Sequence, residues 1–399
     1  MLTDRRIAPG GDRRYILLAR HRLMTEKPNP WANAIAKSQS RAVPSPELPS
    51  ETPPPNDGPS FAMMTCAHGA EGLVKEQIAE AGWRLAFSRP GFVTAKHDRE
   101  LPPPTGIFIR TCCRSLGNAK GDQGDSLIEQ LFQSVESVRL PIDQLHVWPR
   151  DRAPIGRFDF EPEIDEVAKA VAARILQLAP ENLFRCATAN QIAQPSESIL
   201  DVVLVDPSEW FFGIHTATHW PSRWPGGIQP VAPEFEPISR AYYKAAEAIT
   251  WSGFDLRPGD LAVEVGSAPG GACGRLLEMG LNVIGIDPAE MDPRIAEHPR
   301  FQHFATRAGD LPRRVYRDAK WLLVDSNVKP DATLSTVRNI VDSRETNIRG
   351  CLITMKLGNY SRADQIPRWC DEVMRWKPKQ LEVRQLARNR CEVCFAVSW

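Results

Sequence analysis

From residue 261 onward the chain alternates short apolar runs with amphipathic stretches, and this rhythm admits few folds. The runs at 261–265, 282–286, 321–324 and 351–355 are rich in Val, Ile and Leu and show no polar alternation. Strands buried on both faces read this way, as in a parallel sheet covered by helices. Helical spacing fills the gaps at 271–279, 333–347 and 364–376. Parallel strands need a crossover of about a dozen residues, usually helical, and these gaps supply it. The last two runs, 380–386 and 392–397, are joined by a short Ala-Arg-Asn-Arg-Cys link. That link cannot hold a crossover, so an antiparallel hairpin is expected on the sheet's edge. The predicted fold class is α/β: a C-terminal Rossmann-like sheet with an antiparallel terminal hairpin.

Residues 61–220 lack this rhythm. Runs at 61–66, 83–87, 106–112, 199–205 and 210–215 read as strands, and 72–81, 126–138 and 164–178 read as helices. The reading is a smaller N-terminal mixed α/β module with no visible chemistry. Before it, residues 28–59 carry nine prolines, each of which removes a backbone donor and fixes a dihedral. Residues 1–60 are therefore expected to be a disordered Pro-rich leader, with 61–220 and 221–399 as the two folded domains. The leader's arginines hint at a transit peptide, but Asp4 and Asp12 count against it; a basic tail, or a true start nearer Met24, is favoured. No apolar run approaches the roughly 18 residues of a membrane span. Nine cysteines, an odd number, argue against a disulfide framework, and the expected location is cytoplasmic. Net charge is zero overall, with −5 over 61–230, so no segment has the basic footprint usual for nucleic-acid binding.

Between the first predicted strand and helix lies Glu264-Val-Gly266-Ser267-Ala268-Pro269-Gly270-Gly271. Glycines there let the chain turn tightly and let a ligand approach the backbone. Asp287 ends the next strand, 21 residues after Gly266, where a carboxylate can accept from ribose hydroxyls. Asp310 follows the next short strand and could reach an adenine. The loop is not G-x-G-x-x-G and carries no basic residue, which suits a methyl donor better than a pyrophosphate. By itself it leaves open a methyl donor, a dinucleotide or a structural turn.

Four more residues sharpen the reading. Asp325 and Lys356 end predicted parallel strands, on the rim where open α/β sheets bind ligands. Lys244 stands on a helix before the first strand, and Glu392 opens the last strand. Ser239-Arg-Ala-Tyr-Tyr-Lys244, the Gly-Ser-Ala-Pro-Gly-Gly loop, Asp325, Lys356 and Arg390-Cys-Glu-Val393 together resemble the FtsJ-type RNA ribose 2′-O-methyltransferases. Trp224-Pro-Gly-Gly-Ile228 and the Lys329-Pro330 pair after Asp325 look nearest to the RlmM-type branch, which acts on large-subunit ribosomal RNA.

The resemblance covers about residues 220–399. It implies a class I methyltransferase domain, S-adenosyl-L-methionine as cofactor, RNA as partner, and a THUMP-like RNA-binding module over 61–220. The donor would be held by Glu264, Gly266, Ser267, Ala268, Pro269, Gly270, Gly271, Asp287, Asp310 and Asp325. The catalytic set would be Lys244, Asp325, Lys356 and Glu392. A ribose hydroxyl is scarcely ionised at neutral pH and needs a base in line with the methyl group, the role implied for Lys356. A free lysine titrates near 10.4, so nearby positive charge and burial would have to favour its neutral form. The lysine-base mechanism requires no metal.

Rivals are a nicotinamide-dependent oxidoreductase and a silent RNA-binding or assembly protein that kept the fold. Cys391-Glu-Val-Cys394 and His215-Thr-Ala-Thr-His219 have ligand-like spacing, yet both fall on strand-like sequence that disfavours chelation. Trp220, Trp224 and Trp251 suit packing better than base stacking. Arg313, Arg314, Arg317, Arg388 and Arg390 are the candidates for phosphate contact.

Overall fold

The computed structural model describes residues 60–399 apart from 123, 137, 139, 140, 155–160, 343 and 344. The leader expected at 1–60 lies outside the described residues except for Ser60, which opens the first strand. Two seven-stranded sheets follow each other along the chain.

The first is built from β1 (Ser60–Thr65), α1 (Glu71–Glu80), β2 (Arg84–Arg89), β3 (Phe92–His97), β4 (Thr111–Lys120), α2 (Gly124–Val135), β5 (Gln144–Pro149), α3 (Glu166–Leu178), β6 (Ser198–Asp206) and β7 (Glu209–Thr216). Its order is β2-β3-β1-β4-β7-β6-β5, antiparallel except for the β5–β6 pair. Two strands here escaped the sequence reading, β3 and β5, and the strand expected at 106–112 begins at Thr111 instead. β4 holds Gly117 and Asn118, weak strand formers, at a register irregularity against β7 between Ser115 and Gly117. That composition reads as loop until neighbours on both sides supply the ladder.

The second sheet has α4 (Ala241–Ser252), β8 (Leu261–Val265), α5 (Gly271–Glu278), β9 (Asn282–Ile286), α6 (Pro293–Ala296), β10 (Phe301–Phe304), β11 (Trp321–Val324), α7 (Pro330–Val341), β12 (Gly350–Lys356), α8 (Ile366–Met374), β13 (Gln380–Arg384) and β14 (Glu392–Ser398). Strands β8, β9 and β11 keep their expected limits. Helix α7 starts three residues before the expected position, because Pro330 sits comfortably in a first helical turn, and it ends at Val341. The order is β10-β9-β8-β11-β12-β14-β13, with the first five strands parallel and β14 antiparallel to both neighbours. In chain order this is 3-2-1-4-5-7-6, and the antiparallel edge is the hairpin read from the sequence.

The halves are not independent. One apolar core runs from Ala62, Val74 and Ile109 to Val263, Leu322 and Trp369. Arg384 Nη2 donates to the carbonyls of Ile109 and Arg110 at 2.8 and 2.9 Å. A Cβ on Gly226 would meet the Trp148 ring at 2.8 Å, so the expected boundary near 220 falls inside a packed seam. Trp224 and Trp251 are buried there and in the α4 layer, and Trp220 stacks on Trp224 at 5.1 Å.

Candidate active site

The rim at the carboxyl ends of the parallel strands gathers residues from four elements. Asp325 follows β11, Lys356 ends β12 and Glu392 begins β14. The β12–β14 ladder pairs Lys356 directly with Glu392. Lys244 reaches in from the first turn of α4. The four form a closed ring. Lys244 Nζ is 2.6 Å from Asp325 Oδ2 and 2.7 Å from Glu392 Oε2. Lys356 Nζ is 2.7 Å from Asp325 Oδ1 and 2.7 Å from Glu392 Oε1. Each carboxylate thus pairs with both lysines, and hydrogen bonds run from Lys244 to Asp325 Oδ2 and from Lys356 to Glu392 Oε1.

The charges are partly removed from water, with side-chain exposures between 13 and 27%. Burial opposes ionisation of Asp325, but Lys244 and Lys356 outweigh it and hold the carboxyl down at about 2. Burial likewise pulls on Lys244, yet Asp325 and Glu392 keep it well above the ordinary lysine value, firmly cationic.

The glycine loop lies beside this ring and is geometrically tied to it. Gly266 has φ +85, and a Cβ there would stand 2.5 Å from the Asp325 carbonyl oxygen. Only glycine lets the two strand ends approach so closely. At the other end, a Cβ on Gly271 would meet Ser239 Oγ at 2.1 Å and Tyr242 N at 3.0 Å, so α5 begins against the segment that delivers Lys244. Gly270, at φ +118, turns the chain between them.

Asp287 accepts from Ala268 N at 3.3 Å and Ala289 N at 2.8 Å, one bond per oxygen. Each oxygen keeps a lone pair for a ligand hydroxyl. Ser267 is buried, with its hydroxyl 3.7 Å from Met291 Sδ; Ala268 is half-buried and Pro269 exposed. Asp310 is exposed at the end of the 308–310 turn and takes no part in the loop's hydrogen bonds.

Glu264 belongs to the expected donor set. It is 1% exposed beneath the loop, 2.8 Å from Cys273 Sγ, and burial pushes its carboxyl up to about 8. A group so enclosed shapes the start of α5 from below.

Two carboxylates that the sequence reading passed over, Glu247 and Glu161, stand beside the ring. Glu247, one turn beyond Lys244 on α4, is fully buried and accepts from the backbone of Ala387 and Arg388 at 3.1 and 2.9 Å. It anchors the link that leads to Glu392. Arg240 and Arg388 are bridged by Glu161. The spacing of Lys244 and Glu247 on one helix could have suggested Glu247; Glu161 sits in irregular sequence with no such signal.

The other chelation-like residues are committed elsewhere. His215 lies in β7 between Asp201 and the Ser222 carbonyl. Cys391 and Cys394 are buried free thiols. Among the described residues no group of three or more His, Cys, Asp or Glu could hold a metal ion, and no helix is long and apolar enough to cross a membrane. Arg313, Arg314 and Arg317 are exposed.

A 3-2-1-4-5-7-6 sheet with a glycine loop after its first strand is the class I methyltransferase fold, and the chain is an enzyme of that class. Its sequence is similar to that of ribosomal RNA large subunit methyltransferase M from Laribacter hongkongensis, at 26% identity over 330 residues, 76% of this chain and 84% of the relative. The protein of the same name from Aromatoleum aromaticum is 34% identical over 113 residues, 27% of this chain and 30% of the relative. That from Xylella fastidiosa is 32% identical over 146 residues, 36% and 40%. The chain is thus a relative of the ribosomal RNA large subunit methyltransferases M. No family model matches it. Superposition on solved methylases is loose, as with TrmN from Thermus thermophilus (TM-score 0.32, 12% identity, covering 85% of this chain and 100% of that one), so the fold reading rests on the strand order itself.

Proposed function

We propose that this protein transfers a methyl group from S-adenosyl-L-methionine to a ribose 2′-hydroxyl of RNA, with ribosomal RNA as the substrate its relatives' names suggest. The observation that carries the reading is the closed ring of Lys244, Asp325, Lys356 and Glu392 beside the glycine loop.

The residues present fit the donor. The stretch 264–271 has no basic side chain, as suits a ligand without phosphate, and Asp287 keeps acceptor capacity for vicinal hydroxyls. Gly266 to Gly271 and Asp287 would hold it, with Asp310 as the candidate for its adenine. When bound, the donor supplies an electrophilic methyl group and one positive charge.

The chain's own residues do the rest. As a neutral amine, Lys356 Nζ would use its two N–H groups on Asp325 Oδ1 and Glu392 Oε1, and its lone pair would occupy the remaining tetrahedral position. That lone pair accepts the 2′-hydroxyl proton. Lys244 stays cationic and fixes the outer oxygens of both carboxylates, so the base is aimed by geometry that substrate binding need not create. Two carboxylates and one cationic lysine leave a net −1. A positive charge arriving at the loop balances it and does in the ring what a second ammonium would otherwise do.

The N-terminal half is proposed as the RNA-binding module, of THUMP type. Its support is a cavity of about 580 Å³ along the seam, away from the ring, where Arg114 and Arg384 stand among Phe61 and Trp83. Cationic groups interleaved with aromatic ones suit single-stranded RNA. The proposed compartment is the cytoplasm.

The test is incubation with labelled donor and total RNA, followed by mapping of ribose-methylated nucleotides. Methylation confined to 2′-oxygens of one site is the expected result. Base methylation, or binding of a nicotinamide dinucleotide in place of the donor, would sink the reading.

A further inference from the structure

One charged cluster beside the ring is left without a task by ribose methylation. Arg240 lies four residues before Lys244, and Arg388 lies four residues before Glu392. Glu161, which precedes α3 and lies in no strand or helix, places one carboxylate oxygen on Arg240 Nε and the other 2.9 Å from Arg388 Nη1. Arg388 is otherwise seated by the catalytic half: Nη2 donates to the Gln229 carbonyl at 3.3 Å, and the guanidinium lies 4.8 Å over the Tyr243 ring. It is only 7% exposed. Two guanidiniums therefore share the one carboxylate that bridges them, while buried Glu247 and nearby Glu163 also act on Arg388. Arg240 Nη2 and Arg388 Nε are buried with no hydrogen-bond partner among the described residues. Burial, then the neighbouring Arg390 and Arg388, press the Arg240 guanidinium below its ordinary value, partly offset by Glu392 and Asp325. The cluster keeps buried donors unfilled, and it adjoins the ring.

We propose that Arg240 and Arg388 form the binding site for a phosphodiester of the RNA substrate, with Glu161 holding that place until RNA displaces it. The proposal rests on the ribose-methylation reading. Each backbone phosphate is covalently joined to the neighbouring sugar, so a ribose at Lys356 brings a phosphate within a few ångströms. Arg240 is one helical turn, about 6 Å of rise, from Lys244. The two non-bridging oxygens of a phosphodiester span an arginine pair much as the two carboxylate oxygens of Glu161 do. Glu161 can leave without breaking a ladder or a helix, because it belongs to neither. Arg388 cannot leave so easily, held as it is by Gln229 and Tyr243. The arginines form the preset half of the site and the glutamate its removable half.

Glu161 then competes with RNA, and its removal strengthens binding. Glu161→Gln is expected to bind RNA about threefold to tenfold more tightly at low salt, with the log–log salt dependence steeper by about one. Arg240→Gln is expected to weaken binding by about tenfold and flatten that slope by about one. Donor affinity, read by calorimetry, stays within about twofold in both. Glu161→Asp, which draws the carboxylate back by one methylene, should show the same gain in smaller measure and serves if Glu161→Gln fails to fold. A well-folded Glu161→Gln or Glu161→Asp protein that binds RNA no more tightly than the parent overturns the proposal and makes Glu161 a plain interdomain brace. If the parent protein methylates no RNA at all, it is the ribose reading that has failed; if the parent methylates and only these affinities stay flat, that reading stands and this one falls.

Discussion

At the rim of the second sheet Asp325 meets two lysines, and its Oδ1 is buried with no hydrogen bond made to it among the described residues. Inside the first sheet Asp201 meets His215, and there nothing is left over. His215 Nδ1 is 2.5 Å from Asp201 Oδ2, Nε2 is 2.8 Å from the Ser222 carbonyl, and Asp201 is 2% exposed. A carboxylate stands on one nitrogen and a carbonyl on the other, the arrangement that suits a ring donating from both. One site has open valences at strand ends; the other is a closed pair across neighbouring strands. The contrast separates charge arranged for chemistry from charge arranged for packing, and burial alone would not have told them apart.

The largest expected effect tests the open site. Lys356→Met should lower methyl transfer by about 10²- to 10⁴-fold, the range for losing a general base, while donor affinity changes by less than about threefold. Single-turnover transfer to RNA and calorimetry of the donor read the two quantities. A modest loss of rate, or a donor that no longer binds, would mean that Lys356 holds the ring together rather than taking the proton.

Next comes the tie between loop and ring. Gly266→Ala places a Cβ against the Asp325 carbonyl at a backbone angle that L-residues resist. Asp325 must shift, and a displacement near 1 Å at a catalytic group costs on the order of 10²-fold in rate. Transfer should fall by roughly ten- to a hundredfold, and the melting temperature should drop as well. If Ala is tolerated at full rate, the loop and the ring are not coupled as the geometry requires.

These two tests concern features that the sequence announced, and the reason is physical. Runs such as 261–265 and 321–324 are buried on both faces and end in turn residues, so β8 and β11 were legible to the residue. The ring was legible because three members stand at strand ends and the fourth in a helix's first turn, where family order and strand rhythm coincide. The N-terminal sheet was harder to read. β5 contains His146, Trp148 and Pro149, a mixture that looks like loop until β6 pairs with it. Glu161 lies 79 residues before Arg240 and its role exists only through folding. Asp201 and His215 were visible as residues but not as a pair, since only the β6–β7 register sets them on the same face.

The smallest effect tests the closed pair through pH. Burial pulls the His215 imidazolium down, but Asp201 outweighs it and holds the group above its ordinary value. A raised group adds stability below its unfolded value, near 6.5, and that share is lost as pH climbs through the folded value. Asp201→Asn leaves burial opposed only by the hydrogen bond to the Ser222 carbonyl, so the sign should reverse and stability should instead rise with pH over that window. His146 is buried and pulled down in the same sense in both proteins, and losing Asp201 lowers it further, so it cannot mask the reversal. Breaking a pair this deep should cost about 3 kcal/mol near pH 6 and progressively less toward pH 8. Denaturant melts at pH 6, 7 and 8 read the slopes, and methyl transfer per folded molecule should match the parent throughout. Parallel slopes in the two proteins would show that His215 is neutral in the fold. The closed pair would then be an ordinary hydrogen bond, and the contrast with the ring would be one of exposure only.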